Sequence, residues 1–366
     1  MAVYVEYKPR RILNVYKHCD GGWFWNRYSA NPYVGCEYGC NYCYLRSRKY
    51  TPYENPEEFK RIIKVKVNAP ELLERELSRV KVDILGLGFY QPVEAKYRLL
   101  RKMLKICLEK GFPLHMNEKS TMLLEDVDLL REISRRSWLA VSFSLITLRE
   151  DLGVFEPRTP SPWERIETIR QLSKEGIHTG IAMIPILPYV YDDEENIETV
   201  VREVKRAGGK YVIAGCLTLD RNVYNAYLPV LRKVHPEATR KTMELYAERY
   251  EPPPSYQAEI GGKVKEICIK HGIDYRLKRP EKIYPKRLRL NRKLAADFYL
   301  KAYELELQGQ KHRAWAYRKA AWVLDDLEKP VEEIYSEKGL KGLLEIPSVG
   351  RSIAEKISVY INSLNT

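Results

Sequence analysis

A chain of 366 residues with 45% apolar and 30% charged side chains can build both a core and a solvated surface, which excludes a disordered or fibrous protein. Its 62 lysines and arginines against 49 acids leave a net charge of +13 and a pI near 9.2, a balance that favours a polyanionic partner. No apolar run reaches about 18 residues, and the opening Met-Ala-Val-Tyr-Val-Glu-Tyr-Lys lacks a signal-peptide core. A cytoplasmic protein with reduced thiols and no membrane partner is expected.

Residues 1–30 form a basic, aromatic lead-in with Lys8-Pro9-Arg10-Arg11 and Trp23-Phe24-Trp25, in which Cys19 is expected as a structural thiol. The next stretch, Asn31 to Tyr44, is a glycine-punctuated loop carrying Cys36, Cys40 and Cys43 in a Cys-x3-Cys-x-Tyr-Cys pattern. Thiolates this close can wrap one soft metal centre, and an iron–sulfur cluster normally takes four of them. Three leave one iron open to a substrate or cofactor. A disulfide with a spare thiol or an incomplete zinc site fits less well, because Cys19, Cys107, Cys216 and Cys268 are scattered singly and no second pair follows. After the loop, Arg46-Ser47-Arg48-Lys49-Tyr50 reads equally as a phosphate contact or a solvated face.

From residue 62 apolar runs alternate with amphipathic helices. Strands are expected at 62–67, 82–87, 112–116, 138–146, 177–184 and 210–216, with helices at 70–79, 94–109, 124–135, 162–174 and 194–206. That order predicts an α/β fold with parallel strands and right-handed crossovers, a partial (β/α) TIM-type barrel. Ligand-binding residues are then expected at the C-terminal strand ends. Those ends carry Gly86-Leu87-Gly88-Phe89-Tyr90-Gln91-Pro92-Val93-Glu94, Asn117-Glu118-Lys119-Ser120, Ser142 and Ser144, and Glu156-Pro157-Arg158-Thr159-Pro160-Ser161-Pro162. Helices are read at 222–250 and 259–271, with an edge strand at 273–275.

The cysteine spacing, with an aromatic before the third cysteine, resembles the radical S-adenosylmethionine superfamily. The Asn-Pro-Tyr-x-Gly-Cys start, Tyr-Gln-Pro-x-Glu, Lys-Ser and Glu-Pro-Arg-x-Pro-Ser-Pro segments resemble its spore photoproduct lyase-like group of DNA repair enzymes, over residues 28–220. The resemblance implies a 4Fe-4S cluster on Cys36, Cys40 and Cys43 whose open iron binds S-adenosylmethionine. It also implies cleavage of that cofactor to a 5′-deoxyadenosyl radical, and a reducing partner such as a ferredoxin or flavodoxin. By the same resemblance Tyr42 lies near the adenine, Gly86 and Gly88 approach the methionyl part, Lys119 contacts its carboxylate, and Ser142 contacts the cofactor or ribose. Two departures stand out. Gly88-Phe89 replaces an acid and a proline, and Ile84–Leu87 lacks the group's hydrogen-donating cysteine, leaving Tyr90 as the candidate donor. Cys107 lies on an apolar helix face and is expected in the core.

Residues 278–289 are strongly basic, with two prolines, and read as a linker between a domain at 1–277 and one at 290–366. In the latter, Leu343 to Ala354 reads as helix, Pro347-Ser348-Val349-Gly350 turn, helix: a helix-hairpin-helix that offers backbone N–H groups to a phosphate. An ordinary αα-hairpin is the plainer alternative. With Glu304–Gly309 and Arg313–Ala321, the tail resembles the N-terminal small domain of family X DNA polymerases. That resemblance implies DNA or RNA binding through Arg313, Tyr317, Pro347, Val349, Gly350, Arg351 and Lys356, and makes Lys356 a candidate Schiff-base lysine. The usual glycine after the proline is Ser348. The sequence thus points to a radical enzyme acting on a nucleic acid, DNA repair first. An RNA-modifying enzyme and a non-catalytic DNA-binding iron–sulfur protein are the rivals.

Overall fold

The computed structural model describes residues 2–19, 23–53, 55 and 57–364. It divides into two compact units, Met1–Tyr16 with Asn26–Leu277, and Lys17–Trp25 with Lys278–Thr366.

The first unit opens with short strands β1 (Val3–Tyr7), β2 (Leu13–Val15), β3 (Tyr28–Ala30) and β4 (Tyr33–Val34). Next come α1 (Glu58–Arg61), β5 (Ile62–Lys66), α2 (Ala69–Leu77), β6 (Leu85–Leu87), α3 (Glu94–Tyr97) and α4 (Leu99–Glu109). The alternation continues through β7 (Leu114–Glu118), α5 (Val127–Arg136), β8 (Leu139–Ser144), α6 (Leu152–Phe155), α7 (Pro162–Lys174), β9 (His178–Ile186), α8 (Glu194–Arg206) and β10 (Val212–Cys216). Three helices, α9 (Arg221–Val234), α10 (Pro236–Tyr246) and α11 (Pro254–Lys270), close the unit.

The main sheet has seven strands in the order β10-β9-β8-β7-β6-β3-β2, parallel throughout except for the antiparallel β2–β3 pair. Its two faces differ. Register pairs Ser29 with Gly86, Gly86 with His115, Asn117 with Ser142, and Ser142 with Gly180, so one face is polar or small. The other carries Leu85, Leu114, Met116, Val141, Phe143 and Ile181, all buried. The apolar stripes of the crossover helices supply matching buried residues, such as Leu100 and Leu104 of α4, Leu130 and Ile133 of α5, and Ile169 of α7. Helix starts follow local chemistry: Ser161 and Glu164 form a capping box on α7, and Asp193 caps α8.

Several expectations shift. The strand at 62–67 forms, but β5 belongs to a separate three-stranded sheet with β1 and β4. Its place in the parallel sheet is taken by β3. The helix at 94–109 breaks at Arg98, which adopts a left-handed φ of 48°. The helix at 222–250 is two helices, because Pro236 starts a new one after His235 leaves the helical region. The edge strand at 273–275 shrinks to a single bridge between Tyr211 and Asp274.

The second unit holds α12 (Arg289–Leu307), α13 (Lys311–Asp326), α14 (Val331–Leu344) and α15 (Arg351–Leu364). The stretch read as a linker is part of this unit. Arg279 and Asp325 form an ion pair at 2.6 Å, with side chains 5% and 1% exposed, and Arg279 also lies over the rings of Trp25 and Tyr284. A guanidinium buried on a carboxylate and two rings fixes the basic stretch against the tail instead of leaving it free. Lys17–Trp25 of the lead-in belongs to the same unit: His18 stacks on Trp322 at 4.1 Å, and Trp25 meets Tyr299 edge-on.

Candidate cluster and cofactor site

The cysteine loop is held from every side. Gly35 has φ +87°, and a Cβ there would lie 2.7 Å from the Ile62 carbonyl oxygen, so only glycine fits. Cys36 N donates to Phe59 O, and Asn41 N to Phe155 O. Arg46 is 2% exposed and donates through Nε to Cys40 O and through Nη2 to Gly39 O, both at 2.8 Å. Asn222 Nδ2 donates to Arg46 O at 2.9 Å. The loop is therefore tied to the segment after β8 and to the start of α9, beyond β10.

The Tyr-Gln-Pro-Val-Glu segment acts as a clamp on this loop. Gln91 Oε1 accepts from Glu37 N, and Gln91 Nε2 donates to Gly35 O. Glu37 accepts from Val93 N at 2.7 Å. Glu94 accepts from the Tyr33 hydroxyl and from Leu100 N. Burial pushes its carboxyl up to about 7. The glycines before this segment serve the same end: a Cβ on Gly86 would lie 2.5 Å from Asn26 Nδ2, and one on Gly88 would lie 2.8 Å from Asn31 Oδ1. The room that a Cβ would need at Gly86 and Gly88 is thus taken by two asparagines of this chain.

All three cysteines are free thiols. Burial raises their pKa, to about 12 for Cys40, and Cys40 and Cys43 add to the rise at Cys36. That mutual effect means the three side chains converge. Thiols buried this way hold their protons until a cation compensates the thiolate charge, so metal loading releases protons. Among the described residues no three His, Cys, Asp or Glu side chains are grouped as for a single metal ion. In a 4Fe-4S cluster each cysteine would bind a different iron.

Beside the loop lies a buried ionic group that the sequence did not reveal. Glu156, with a fully buried side chain, accepts from the Tyr42 hydroxyl, from Lys119 Nζ at 2.8 Å, from Thr159 Oγ1 at 3.0 Å, and from Arg165 Nη2. Lys119 Nζ also donates to Ser144 Oγ at 2.7 Å and to Tyr42 Oη at 3.2 Å. Burial alone would raise the Glu156 pKa, but Lys119 and Arg165 outweigh it and hold it at about 2. One carboxylate between two cations leaves one positive charge in excess, the sign a cofactor carboxylate needs. Glu156 and Arg165 lie in and just after the Glu-Pro-Arg-x-Pro-Ser-Pro segment, which the sequence offered as a motif without a role.

Ser142 is placed differently from expectation. It is fully buried, and its hydroxyl is engaged by His115 Nε2 and Tyr211 Oη, each at 2.8 Å. Burial pushes His115 down to about 3, which keeps it neutral. Tyr90, expected as a hydrogen donor, is 2% exposed and donates its hydroxyl to Asp126 at 2.5 Å. Asp126 is itself paired with Arg101, so the Tyr90 phenol belongs to a structural network. Asn117, which the sequence did not single out, is exposed on β7 amid the polar face and extends that face to solvent.

In the tail, Lys356 Nζ donates to the Tyr317 hydroxyl and lies 4.8 Å from its ring centre, which brings those two expected residues together. Arg313 pairs with Gln310, and Arg351 with Glu355. At the turn Ile346 and Val349 are buried anchors, while Pro347, Ser348 and Gly350 are exposed. Ser348 takes a left-handed φ of 62°. Gly350 has no positive φ, and a Cβ there would meet nothing within 4 Å. Neither conformation nor packing demands that glycine.

Comparison with known proteins agrees with this geometry. Residues 30–201 match the model of the Radical SAM superfamily, and residues 290–363 that of a helix-hairpin-helix domain. An uncharacterized protein of Mycobacterium tuberculosis (strain ATCC 25618 / H37Rv) is 28% identical over 268 residues, covering 70% of this chain and 78% of the relative. The radical SAM Nalpha-GlyT isomerase of Pseudomonas phage M6 is 25% identical over 227 residues, covering 60% of this chain and 45% of that protein. Among solved structures, Streptococcus suis SuiB bound to S-adenosylmethionine is 15% identical with a TM-score of 0.41, covering 61% of this chain. The chain spans about half of SuiB, 48%, and so slight a likeness bears on neither fold nor function. The radical SAM family uses a 4Fe-4S cluster and S-adenosylmethionine, and the buried thiol triplet with its adjoining excess cation fits both. The chain carries a radical SAM domain followed by a C-terminal helix-hairpin-helix domain.

Proposed function

We propose that this radical SAM enzyme acts on a base in a nucleic acid, DNA repair of the spore photoproduct lyase-like kind being the favoured chemistry. One observation carries the reading: the same chain joins a buried three-thiol site to an exposed turn with a spare glycine at a helix N-terminus. A glycine that neither packing nor φ requires is suited to backbone approach by a phosphate. Such contacts position without reading sequence, which suits an enzyme that must find damage anywhere.

When bound, the cluster and S-adenosylmethionine supply one-electron cleavage to a hydrogen-abstracting radical. In this reading Cys36, Cys40 and Cys43 hold the cluster, and the excess charge of Lys119 and Arg165 over Glu156 attracts the cofactor carboxylate. Tyr42, fixed by Glu156, presents its ring beside the site. We assign Lys356 with Tyr317, Arg313 and Arg351 to nucleic-acid binding.

The partial-barrel form belongs to the same reading. It rests on the parallel run β10-β9-β8-β7-β6-β3, whose strands are joined mostly through helices. The phage relative's name, an isomerase, favours an isomerisation as the second reading.

The test is anaerobic reconstitution with iron, sulfide, a reductant and S-adenosylmethionine. The expected result is 5′-deoxyadenosine whose yield rises with lesion-bearing DNA. No 5′-deoxyadenosine with any DNA or RNA would sink the enzymatic reading, while stimulation by RNA alone would transfer it to RNA modification.

A further inference from the structure

Among the described residues of the second unit, Trp315 is the only exposed Trp, Tyr or Phe side chain, at 51%. It does not serve the packing of α13, whose buried apolar stripe is Ala314, Tyr317, Ala320, Ala321 and Leu324. Nor is it loose. Its ring meets Trp322, two turns further on, edge-on at 5.5 Å, and Trp322 is itself stacked on His18 at 4.1 Å. His18 Nδ1 lies 4.0 Å from Asp326 Oδ2. Two anchored rings thus support a third that stays half in water. A ring exposed singly needs no explanation, but one held in place by two others does.

Cations accompany the ring. Lys311 and Lys319 stand four residues before and four after Trp315, beside it on the helix surface, and both are exposed. From residue 311 to residue 324 the helix carries four lysines and arginines and no acid. Of the four, Arg318 is already paired with Glu306 of α12 at 2.6 Å. A flat apolar ring between two positive charges complements a ligand that joins a flat ring to negative charge. A nucleotide in a single strand supplies both, whereas a duplex hides its base faces. Trp315 and Tyr317 are two residues apart and so lie on opposite sides of α13, which makes the exposed ring a contact separate from the Lys356–Tyr317 pair.

We propose that Trp315 is a stacking post for an unpaired nucleobase, with Lys311 and Lys319 beside the phosphates that flank it. Trp322 and His18 are positioning residues: they hold the indole, so little side-chain freedom is lost when a base stacks on it. Phosphate contacts at the glycine turn are made equally with and without bases, and the post adds the preference for an unpaired base that they cannot supply. The post rests on the nucleic-acid part of the reading above and is independent of the radical chemistry.

The experiment uses the full chain without reconstitution. Affinity is measured at one salt concentration for a single-stranded DNA oligonucleotide, for the same strand with abasic sites throughout, for the paired duplex, and for an RNA strand of the same sequence. Phosphate contacts are common to all four, so the ratio between base-bearing and abasic strands isolates stacking. The wild type is expected to prefer the base-bearing strand. Trp315→Ala should weaken that binding by about 5- to 100-fold and leave abasic and duplex binding unchanged, while Trp315→Phe retains the preference. Lys311→Gln with Lys319→Gln should weaken base-bearing and abasic strands alike and flatten their salt dependence. Equal binding of base-bearing and abasic strands by the wild type overturns the post and leaves the nucleic-acid reading standing. Binding of none of the four overturns both. Wild-type affinities in Trp315→Ala, with circular dichroism unchanged, overturn the post and leave the ring to a protein partner.

Discussion

The two sites of this protein are both turns that carry glycine, and they are built in opposite ways. The cysteine loop is buried, and each close approach is taken up by its own chain: Gly35 by Ile62 and Phe59, Gly86 by Asn26, Gly88 by Asn31. The tail turn is exposed, with a left-handed serine at 348 and a glycine at 350 whose added Cβ would meet nothing. A small cofactor must be held to a fraction of an ångström, so its loop is over-determined by hydrogen bonds and ion pairs. A phosphate backbone would need only unobstructed N–H groups, and a bare turn offers them.

The largest effect is expected at the cysteines. Cys36→Ala, Cys40→Ala and Cys43→Ala should each reduce cofactor cleavage to background and abolish the visible absorbance of the reconstituted cluster, while DNA affinity of the tail is unchanged. Next is the ion pair behind the loop. Glu156→Gln leaves Arg165 buried without a full partner, and losing one member of a buried pair costs about 3–5 kcal/mol. Urea unfolding reads that loss, and a lowered KM for S-adenosylmethionine reads the positive excess grown from one charge to two at Lys119 and Arg165.

The two buried glutamates also predict opposite pH limbs. Glu156 is held down from 4.5 to about 2, so its stabilisation is present above about 4.5 and is lost as pH falls toward 2. Glu94 is pushed up from 4.5 to about 7, so its contribution is full below 4.5 and is lost as pH rises through 7. Unfolding measured across pH should therefore show a shallower acid limb in Glu156→Gln and a flatter fall toward pH 7 in Glu94→Gln. A limb left unchanged in its variant would count against the burial or pairing of that group.

Much of this was legible because period and punctuation are local. The crossover helices at 162–174 and 194–206 form as expected, since Ser161 and Asp193 cap apolar stripes that need no long-range information. The cysteine triplet was legible because its members are close together in sequence. The clamp and the ionic group were not. Glu37 meets Val93, and Tyr42 meets Glu156, across 56 and 114 residues, and no spacing rule connects them. At Tyr90 and Ser142 the strand-end position does not say which neighbours engage the hydroxyl, here Asp126 for one and His115 with Tyr211 for the other. The basic stretch at 278–289 looked solvated because charge usually is, yet Asp325 supplies Arg279 with a buried partner from 46 residues away in the chain.

At the tail the expected effects are smaller and separate shape from strain. Gly350→Val should leave the fold intact, because open space surrounds its Cβ, but should cover the turn's N–H groups. A loss of about tenfold in DNA affinity, about 1.4 kcal/mol, with a shallower salt dependence is expected. Unchanged affinity would remove Gly350 from the interface. Ser348→Gly tests the other half of the contrast. A left-handed serine carries about 1 kcal/mol of strain that glycine lacks, and glycine returns part of that gain as unfolded-chain entropy. The net stabilisation should be about 0.5 kcal/mol in unfolding of the second unit, with DNA binding preserved, because the turn's backbone already has the conformation that glycine would take. A stabilised tail that bound DNA more weakly would mean that the serine hydroxyl, and not the backbone alone, meets the phosphate.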